Sequence, residues 1–281
     1  MPTEGARGKD ATATRAELRD EIIRLGPWFL EVEVVDGLST RAFLDAPPGT
    51  YPDAPWAKTR FNNPHAAFRE TMLRAYPGGL EGRSVLDCAC NCGGYLFWAK
   101  ELGAGECYGF DVREHWIEQA LFLQRHREGS TDDMHFDTCD LYELPTRGLE
   151  PFDVVLFNGI FFHLPDPLSG LRIAAELTRE LLVVETATRS GLPDGLLAAG
   201  SENPERLQSG VYGLQWRPTG PGVMESVLRW LEFQHVRLVW WNREVDPGWG
   251  RMLVLASRVD GRLDGLTEEV PPPAHLARDA C

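Results

Sequence analysis

The chain has 281 residues, 43% of them hydrophobic and 25% charged, which is typical of a soluble globular protein that folds without disulfides or structural metals. Its 28 Lys and Arg residues stand against 42 Asp and Glu residues, and the net charge of −14 argues against broad binding to nucleic acid, leaving room only for a local basic patch. The apolar runs are too short to span a membrane, and the N-terminus lacks the apolar region of a secretory signal. We therefore expect a cytoplasmic protein with reduced cysteines and no membrane partner.

Residues 1–11 are expected to be a disordered lead, and residues 12–80 an extension whose apolar content is too sparse for a separate core. Helical apolar spacing in this extension predicts helices over Glu17–Leu25 and about Pro64–Ala75. Asp36-Gly37 suits a tight turn, so the apolar runs on either side of it predict a hairpin, with strands in Phe29–Val35 and Leu38–Leu44.

From Arg83 onward, short apolar runs alternate with helical segments, which predicts β-α-β units and a mainly parallel sheet. The predicted strands are Ser84–Cys88, Cys107–Asp111, Met134–Asp140, Phe152–Asn158 and Leu181–Glu185. The predicted helices are Tyr95–Leu102, His115–Arg125, Pro167–Leu177 and about Pro221–Phe233.

The last two apolar runs are Val236–Trp241 and Arg251–Ser257, and only about nine residues join them, too few for a crossover helix. They should therefore pair as an antiparallel hairpin at the edge of the sheet. We expect a Rossmann-like α/β domain of seven strands over residues 81–260, with an irregular insertion over residues 187–218 and a tail over residues 261–281.

The first strand of the predicted sheet ends in an acidic residue. It continues into a turn of small residues, in the stretch Val85-Leu-Asp-Cys-Ala-Cys-Asn-Cys-Gly-Gly94. This stretch resembles the first motif of the class I S-adenosylmethionine (SAM) methyltransferases, roughly Asp-x-Gly-x-Gly-x-Gly. Asp87 and Gly93 match that motif, while Ala89 and Asn91 replace two of its glycines. Asn tolerates a positive φ, so Asn91 can still form the turn. A dinucleotide loop is less favoured because G-x-G-x-x-G is absent.

The resemblance also implies cofactor roles at the ends of the next three strands. Asp111, 24 residues after Asp87, would accept hydrogen bonds from both ribose hydroxyls. Asp140 would receive the adenine amino group, and the backbone amide of Leu141 would meet a ring nitrogen. The backbone at Asn158 would lie under the sulfonium.

His163 and Glu185, after the fourth and fifth strands, are the candidates for catalysis. An imidazole can accept a proton near neutral pH, so His163 is either a general base or a structural histidine beneath the cofactor. Glu185 lies on an otherwise apolar strand, so its charge must be paired or must face the cleft. It could serve as a base, contact a metal or the substrate, or be a satisfied structural acid.

A more specific similarity is to the branch that contains the tRNA wobble-uridine carboxymethyltransferases, which use carboxy-SAM. It rests on Leu86–Asp111, on Gly159-Ile-Phe-Phe-His-Leu-Pro-Asp-Pro-Leu168 and on Leu182-Val-Val-Glu-Thr186. Phe162 stands where that branch usually has Tyr, and together with the acidic net charge this favours the branch members that act on small metabolites. The prediction is transfer of the SAM methyl group to a small-molecule acceptor. The alternatives are a tRNA-modifying enzyme and a nucleotide-binding protein without transferase activity.

The acceptor pocket should come from segments added at the carboxyl edge of the sheet, because the common core supplies only the cofactor site. Residues 12–80 and 187–218 are such segments, and both are expected to close over the acceptor. Aromatic residues mark them, with Trp28 and Trp56 in the first. The residues predicted to contact the acceptor are Tyr51, Phe162, Tyr212 and Trp216.

Cys88, Cys90 and Cys92 form a C-x-C-x-C run, which with Cys107 could hold zinc. Metal ligation would deform the turn that the cofactor needs. We therefore prefer small buried thiols packed around this turn, and no metal site is predicted.

Overall fold

The computed structural model describes residues 13–52, 54, 61–246 and 248–266. The predicted disordered lead, Trp56 and residues 267–281 of the predicted tail lie outside these residues. Within them, no helix is long and apolar enough to cross a membrane.

Eleven strands and six α-helices alternate along the described chain. The strands are β1 (Glu33–Val35), β2 (Leu38–Ser39), β3 (Val85–Cys88), β4 (Cys107–Asp111), β5 (Met134–Thr138), β6 (Phe152–Asn158), β7 (Thr178–Arg189), β8 (Leu197–Ser201), β9 (Leu214–Pro218), β10 (His235–Asp246) and β11 (Trp249–Ser257). The helices are α1 (Arg15–Arg24), α2 (His65–Ala75), α3 (Gly94–Glu101), α4 (Glu114–His126), α5 (Pro167–Glu176) and α6 (Pro221–Trp230). Short 3-10 helices cover Thr40–Asp45, Leu141–Thr146 and Phe161–His163.

Seven strands form one sheet in the order β10-β11-β7-β6-β3-β4-β5. The strands β3 to β7 pair in parallel, whereas β11 pairs antiparallel with both β7 and β10. The predicted Rossmann-like sheet with its antiparallel edge hairpin is therefore confirmed. Since the chain proceeds from β3 towards β5 on one side and then crosses to β6 on the other, a cleft opens at the carboxyl ends of these strands.

The two faces of the sheet carry separate apolar cores, because successive strand residues point to opposite faces. Val85 packs on one face with α3 and α4, and Leu86 packs on the other with α5 and α6. Ile22 and Trp28 of the N-terminal segment belong to the first of these cores. Gln119 of α4 binds this segment by donating hydrogen bonds to the carbonyls of Leu25 (2.7 Å) and Pro27 (3.0 Å). The extension thus shares the core of the sheet.

The predicted second strand of the hairpin, Leu38–Leu44, is wrong beyond its first two residues, because a 3-10 helix follows β2. Local polar side chains explain this ending. The Ser39 hydroxyl accepts from the Arg41 backbone amide, and the Thr40 hydroxyl donates to the Leu30 carbonyl at 2.7 Å. Such side-chain bonds compete with a strand ladder.

The insertion predicted as irregular, residues 187–218, contains regular structure. The strand β7 continues to Arg189 through its pairing with β11, and β8 pairs antiparallel with β9. Residues Glu202–Gly213 join β8 to β9, and we call them the bridging segment.

Candidate cofactor and acceptor site

A cavity of about 970 Å³ lies at the carboxyl ends of the parallel strands. Its lining combines the strand ends with α2 of the N-terminal segment and with the bridging segment and β9. This volume is at the upper end of the range for small-molecule sites, so it accommodates a nucleotide-sized cofactor together with an acceptor.

The turn after β3 has left-handed backbone at alternate positions, with φ of 58° at Ala89, 53° at Asn91 and 75° at Gly93. Asn91 stabilises its own conformation, because its side-chain oxygen accepts from the Cys92 amide at 2.8 Å. At Gly93 a side chain would clash, since an added Cβ would lie 2.6 Å from the ring of Phe136. Ala89 and Asn91 therefore adopt the left-handed backbone of this turn, although they replace glycines of the family motif.

Asp111 ends β4 and is buried beside this turn. Its Oδ2 accepts from the Asn91 amide at 3.1 Å, and its Oδ1 accepts from the Arg113 amide at 3.0 Å. Burial nevertheless raises the pKa of Asp111 to about 6. Each carboxylate oxygen retains a lone pair for a ribose hydroxyl.

Asp87 and Asn158 present buried oxygen atoms to the cavity. Among the described residues, Oδ2 of Asp87 and Oδ1 of Asn158 have no hydrogen-bond partner. Burial, and then the charge of Asp111, raises the pKa of Asp87. Buried acceptors of this kind call for a donor from a ligand. SAM carries hydroxyls, an amino group, an ammonium and a sulfonium, so this set of acceptors fits that cofactor.

Asp140 begins the 3-10 helix after β5, and its Oδ1 accepts from the Tyr142 amide at 2.9 Å. The hydroxyl of Tyr212 donates to the other oxygen, Oδ2. The rings of Tyr142 and Tyr212 meet edge to face with centroids 6.0 Å apart. Asp140 thus joins the end of β5 to the bridging segment.

His163 follows β6 and faces the cavity. Its Nδ1 lies 2.8 Å from Oε2 of Glu202 and also faces the backbone amide of Gly210, which donates to it at 3.0 Å. The amide requires a lone pair on Nδ1, whereas the carboxylate favours a proton there. With the proton on Nδ1, the Nε2 atom can accept one.

Glu185 is paired rather than free. Both of its carboxylate oxygens accept hydrogen bonds from the guanidinium of Arg251, which reaches across from β11. The side chains are only 14% and 19% exposed, so both charges are largely removed from water. Both oxygens of Glu185 are therefore engaged within the protein.

Replacing one member of this ion pair should lower the free energy of unfolding more than replacing both members. We expect Arg251→Met to lower the free energy of unfolding by about 2–4 kcal/mol, because it leaves Glu185 charged and partly buried. The double variant Glu185→Leu, Arg251→Met should lose clearly less. Urea unfolding followed by circular dichroism measures both losses, and an equal or larger loss in the double variant would show that the unpaired charge of Glu185 is not what destabilises Arg251→Met.

The structure brings most of the predicted site residues together. Those that line the cavity are Asp87, Ala89, Asn91, Asp111, Asp140, Leu141, Asn158, Phe162, His163, Glu185 and Tyr212. Gly93 lies behind the turn and supports it without lining the cavity.

Tyr51 and Trp216 do not line the cavity, contrary to the prediction that they contact the acceptor. The hydroxyl of Tyr51 donates to the carbonyl of Ile23, within the N-terminal segment. On β9 the side chains alternate, so Gln215 and Arg217 face the cavity, whereas the indole of Trp216 donates to the Pro165 carbonyl at 3.1 Å. Trp28 is buried in the core.

Sequence reasoning missed Arg113, Glu202 and Arg251. The need to pair the charge of Glu185 could have pointed to Arg251, which is a cation in the apolar β11. Arg113 comes two residues after a predicted strand end, a position that often faces a ligand cleft. No local signal marks Glu202, since its relation to His163 depends on the path of the insertion.

The raised pKa of Asp111 predicts a pH dependence of cofactor binding. In its predicted role the ionised carboxylate would accept both ribose hydroxyls, so below pH 6 binding would first have to expel a proton. SAM affinity should therefore fall by up to about tenfold per pH unit below pH 6, and the raised pKa of Asp87 acts in the same direction. Calorimetric titration from pH 5 to 8 tests this, and the dependence should flatten in Asp111→Asn.

The cysteines around the turn are buried and free. Burial raises the pKa of the Cys88 and Cys90 thiols. In the part of the chain that the structure describes, no three His, Cys, Asp or Glu side chains are grouped as a metal site.

Comparisons with known proteins agree with this geometry. A family model described as a methyltransferase domain matches residues 80–231, more than half of the chain. The tRNA U34 carboxymethyltransferase of Pseudomonas fluorescens is 28% identical over 180 residues, which are 62% of this chain and 49% of that protein. The enzyme of the same name from Shewanella halifaxensis is 26% identical over 170 residues, 57% and 46% of the two chains. The matches thus span about half the length of these relatives.

Among solved structures, the N-terminal domain of EvdMO1 in the presence of SAH and D-fucose resembles this chain with a TM-score of 0.66 and 18% identity. The match covers 90% of this chain and 99% of that one, and it shows a common fold. The fold, the acidic residues at the strand ends and the family match agree. This chain therefore belongs to the family of SAM-dependent methyltransferase domains.

Proposed function

We propose that the protein transfers the methyl group of SAM to a small-molecule acceptor that loses a proton to His163. The observation that carries this proposal is the continuous cavity. It extends from the cofactor acids to a chamber bounded by α2 and β9, and His163 lies on its lining.

The acceptor half of the cavity is mixed in character. Phe68 and Met72 of α2 and Trp240 of β10 supply apolar surface. Gln215 of β9 presents a buried Oε1 with no hydrogen-bond partner among the described residues. An acceptor with an apolar ring and a hydrogen-bond donor suits these walls.

Bound SAM supplies a methyl group that its sulfonium already activates. The residues of this chain then need only hold the acceptor in line, exclude water and remove a proton. Glu202 orients His163, and Nε2 takes the proton from an acceptor hydroxyl or amine. Because Glu185 and Arg251 pair with each other, neither charge needs a partner from the acceptor. This pairing favours an uncharged acceptor.

Thermal unfolding with SAM, SAH or NAD tests the cofactor, and we expect stabilisation by the first two only. Formation of SAH is then measured with a panel of phenols, sugars, small amines and tRNA. Turnover with a small acceptor and none with tRNA is the expected result. Stabilisation by NAD alone, or turnover with tRNA alone, would overturn the proposal.

The second candidate is carboxymethyl transfer to tRNA, which the names of the curated relatives favour. Phe162 and the net charge of −14 are the features that weigh against it. Supplying carboxy-SAM and unmodified tRNA distinguishes the two, because only this candidate predicts a carboxymethylated uridine.

A further inference from the structure

We propose that Arg113 is a positioning residue that holds the bridging segment across the cofactor cleft and thereby controls cofactor release. The inference rests on the proposed function, since it assumes that the cleft holds SAM and its product. The family motifs supply the strand-end acids, whereas the bridging segment belongs to the insertion of this chain.

One nitrogen of Arg113 donates hydrogen bonds to three carbonyls of the bridging segment. Its Nη2 donates to the carbonyls of Pro204 (2.8 Å), Ser209 (3.0 Å) and Arg206 (3.1 Å). The two hydrogens of Nη2 are thus shared among three acceptors.

Two further contacts attach the same segment to the ends of other parallel strands. Tyr212 donates to Asp140 after β5, and Glu202 lies 2.8 Å from Nδ1 of His163 after β6. Arg113 itself follows β4. The bridging segment is therefore fastened at the ends of three strands, on both sides of β3, and its Leu207 and Gln208 line the cavity.

Arg113 also links the segment to the ribose site, because its backbone amide donates to Asp111 at 3.0 Å. The backbone of Arg113 thus binds Asp111, the predicted ribose ligand, while its side chain holds the bridging segment over the cleft. Cofactor exchange requires the segment to move away, and its return places Glu202 against His163. Removing the side chain should speed cofactor release and loosen the orientation of His163.

Two measurements on the full chain test this. Stopped-flow displacement gives the dissociation rate of SAH. Limited trypsin digestion reports the opening of the segment, because the bond after Arg206 is a trypsin site whose carbonyl accepts from Arg113. Arg179→Ala is the matched control, since Arg179 binds Asp153 (2.6 Å) and the Pro151 carbonyl at the opposite end of the sheet.

Arg113→Ala should raise the SAH dissociation rate about tenfold and speed cleavage after Arg206. Arg113→Lys should fall between this variant and the wild type, and Arg179→Ala should match the wild type. A purely structural arginine would lower the melting temperature without selectively raising the dissociation rate. Unchanged dissociation and cleavage in Arg113→Ala would overturn the proposal.

If Arg113→Ala fails to fold, Tyr212→Phe provides the second test, because it releases the segment from Asp140 alone. It too should speed SAH release and cleavage after Arg206, and unchanged rates would overturn the proposal. If the wild type does not bind SAH, the proposed function fails. The trypsin comparison without ligand still decides whether Arg113 holds the segment.

Discussion

Replacing His163 with alanine should lower kcat by about a hundredfold or more, while SAM affinity stays within about threefold. The imidazole lines the cavity with a carboxylate 2.8 Å from its Nδ1, and in the proposed reaction its Nε2 takes the proton of the acceptor. Steady-state rates with the acceptor found in the panel, together with calorimetry, separate kcat from SAM affinity.

His235→Ala is the control, because Nε2 of His235 also lies 2.8 Å from a carboxylate, that of Asp260, outside the cavity. It should leave kcat unchanged. Glu202→Gln should reduce kcat less than His163→Ala, since an amide keeps the contact but not the charge. If His163→Ala keeps its kcat and loses SAM affinity instead, the histidine supports the cofactor and the assignment as a base is wrong.

Asp111→Asn should weaken SAM binding at least tenfold. The substitution removes a buried charged acceptor, a loss of roughly 1.5–3 kcal/mol. It also introduces an amide that can face the Asn91 or Arg113 backbone with the wrong polarity. Calorimetry with SAM and with SAH measures the loss.

Asp153→Asn is the matched control for Asp111→Asn. Asp153 also accepts a backbone amide, that of Ser84 at 2.9 Å, but near the amino end of the sheet. It should alter stability without changing SAM affinity. An unchanged affinity in Asp111→Asn would remove Asp111 from the cofactor site.

The sheet and its cofactor edge were predictable because their signals are local. The strands Cys107–Asp111 and Phe152–Asn158 are largely apolar runs that end in a polar residue, and both match their predicted bounds. Parallel connections then bring Asp87, Asp111 and Asp140 to one edge whatever the details of the loops.

The acceptor side was less predictable because its residues depend on the path of an insertion. The aromatic content of residues 187–218 suggested Trp216, yet which side chains face the cavity depends on the pairing of β8 with β9, and this pairing turns Gln215 and Arg217 inward. Likewise, no pattern near position 202 indicates that Glu202 meets His163, 39 residues away.

The shared core of the N-terminal segment bears on how acceptor selectivity can change. Phe68 and Met72 face the cavity and are also buried in the same apolar cluster as Trp28 and Leu96. If the acceptor binds there as proposed, substitutions at these two residues will alter acceptor choice and folding stability together. Gln215 and Arg217 lie on a two-stranded arm outside the main sheet. Substitutions on that arm can therefore change the range of acceptors with little loss of folding stability. The arm is thus the natural place to redesign specificity.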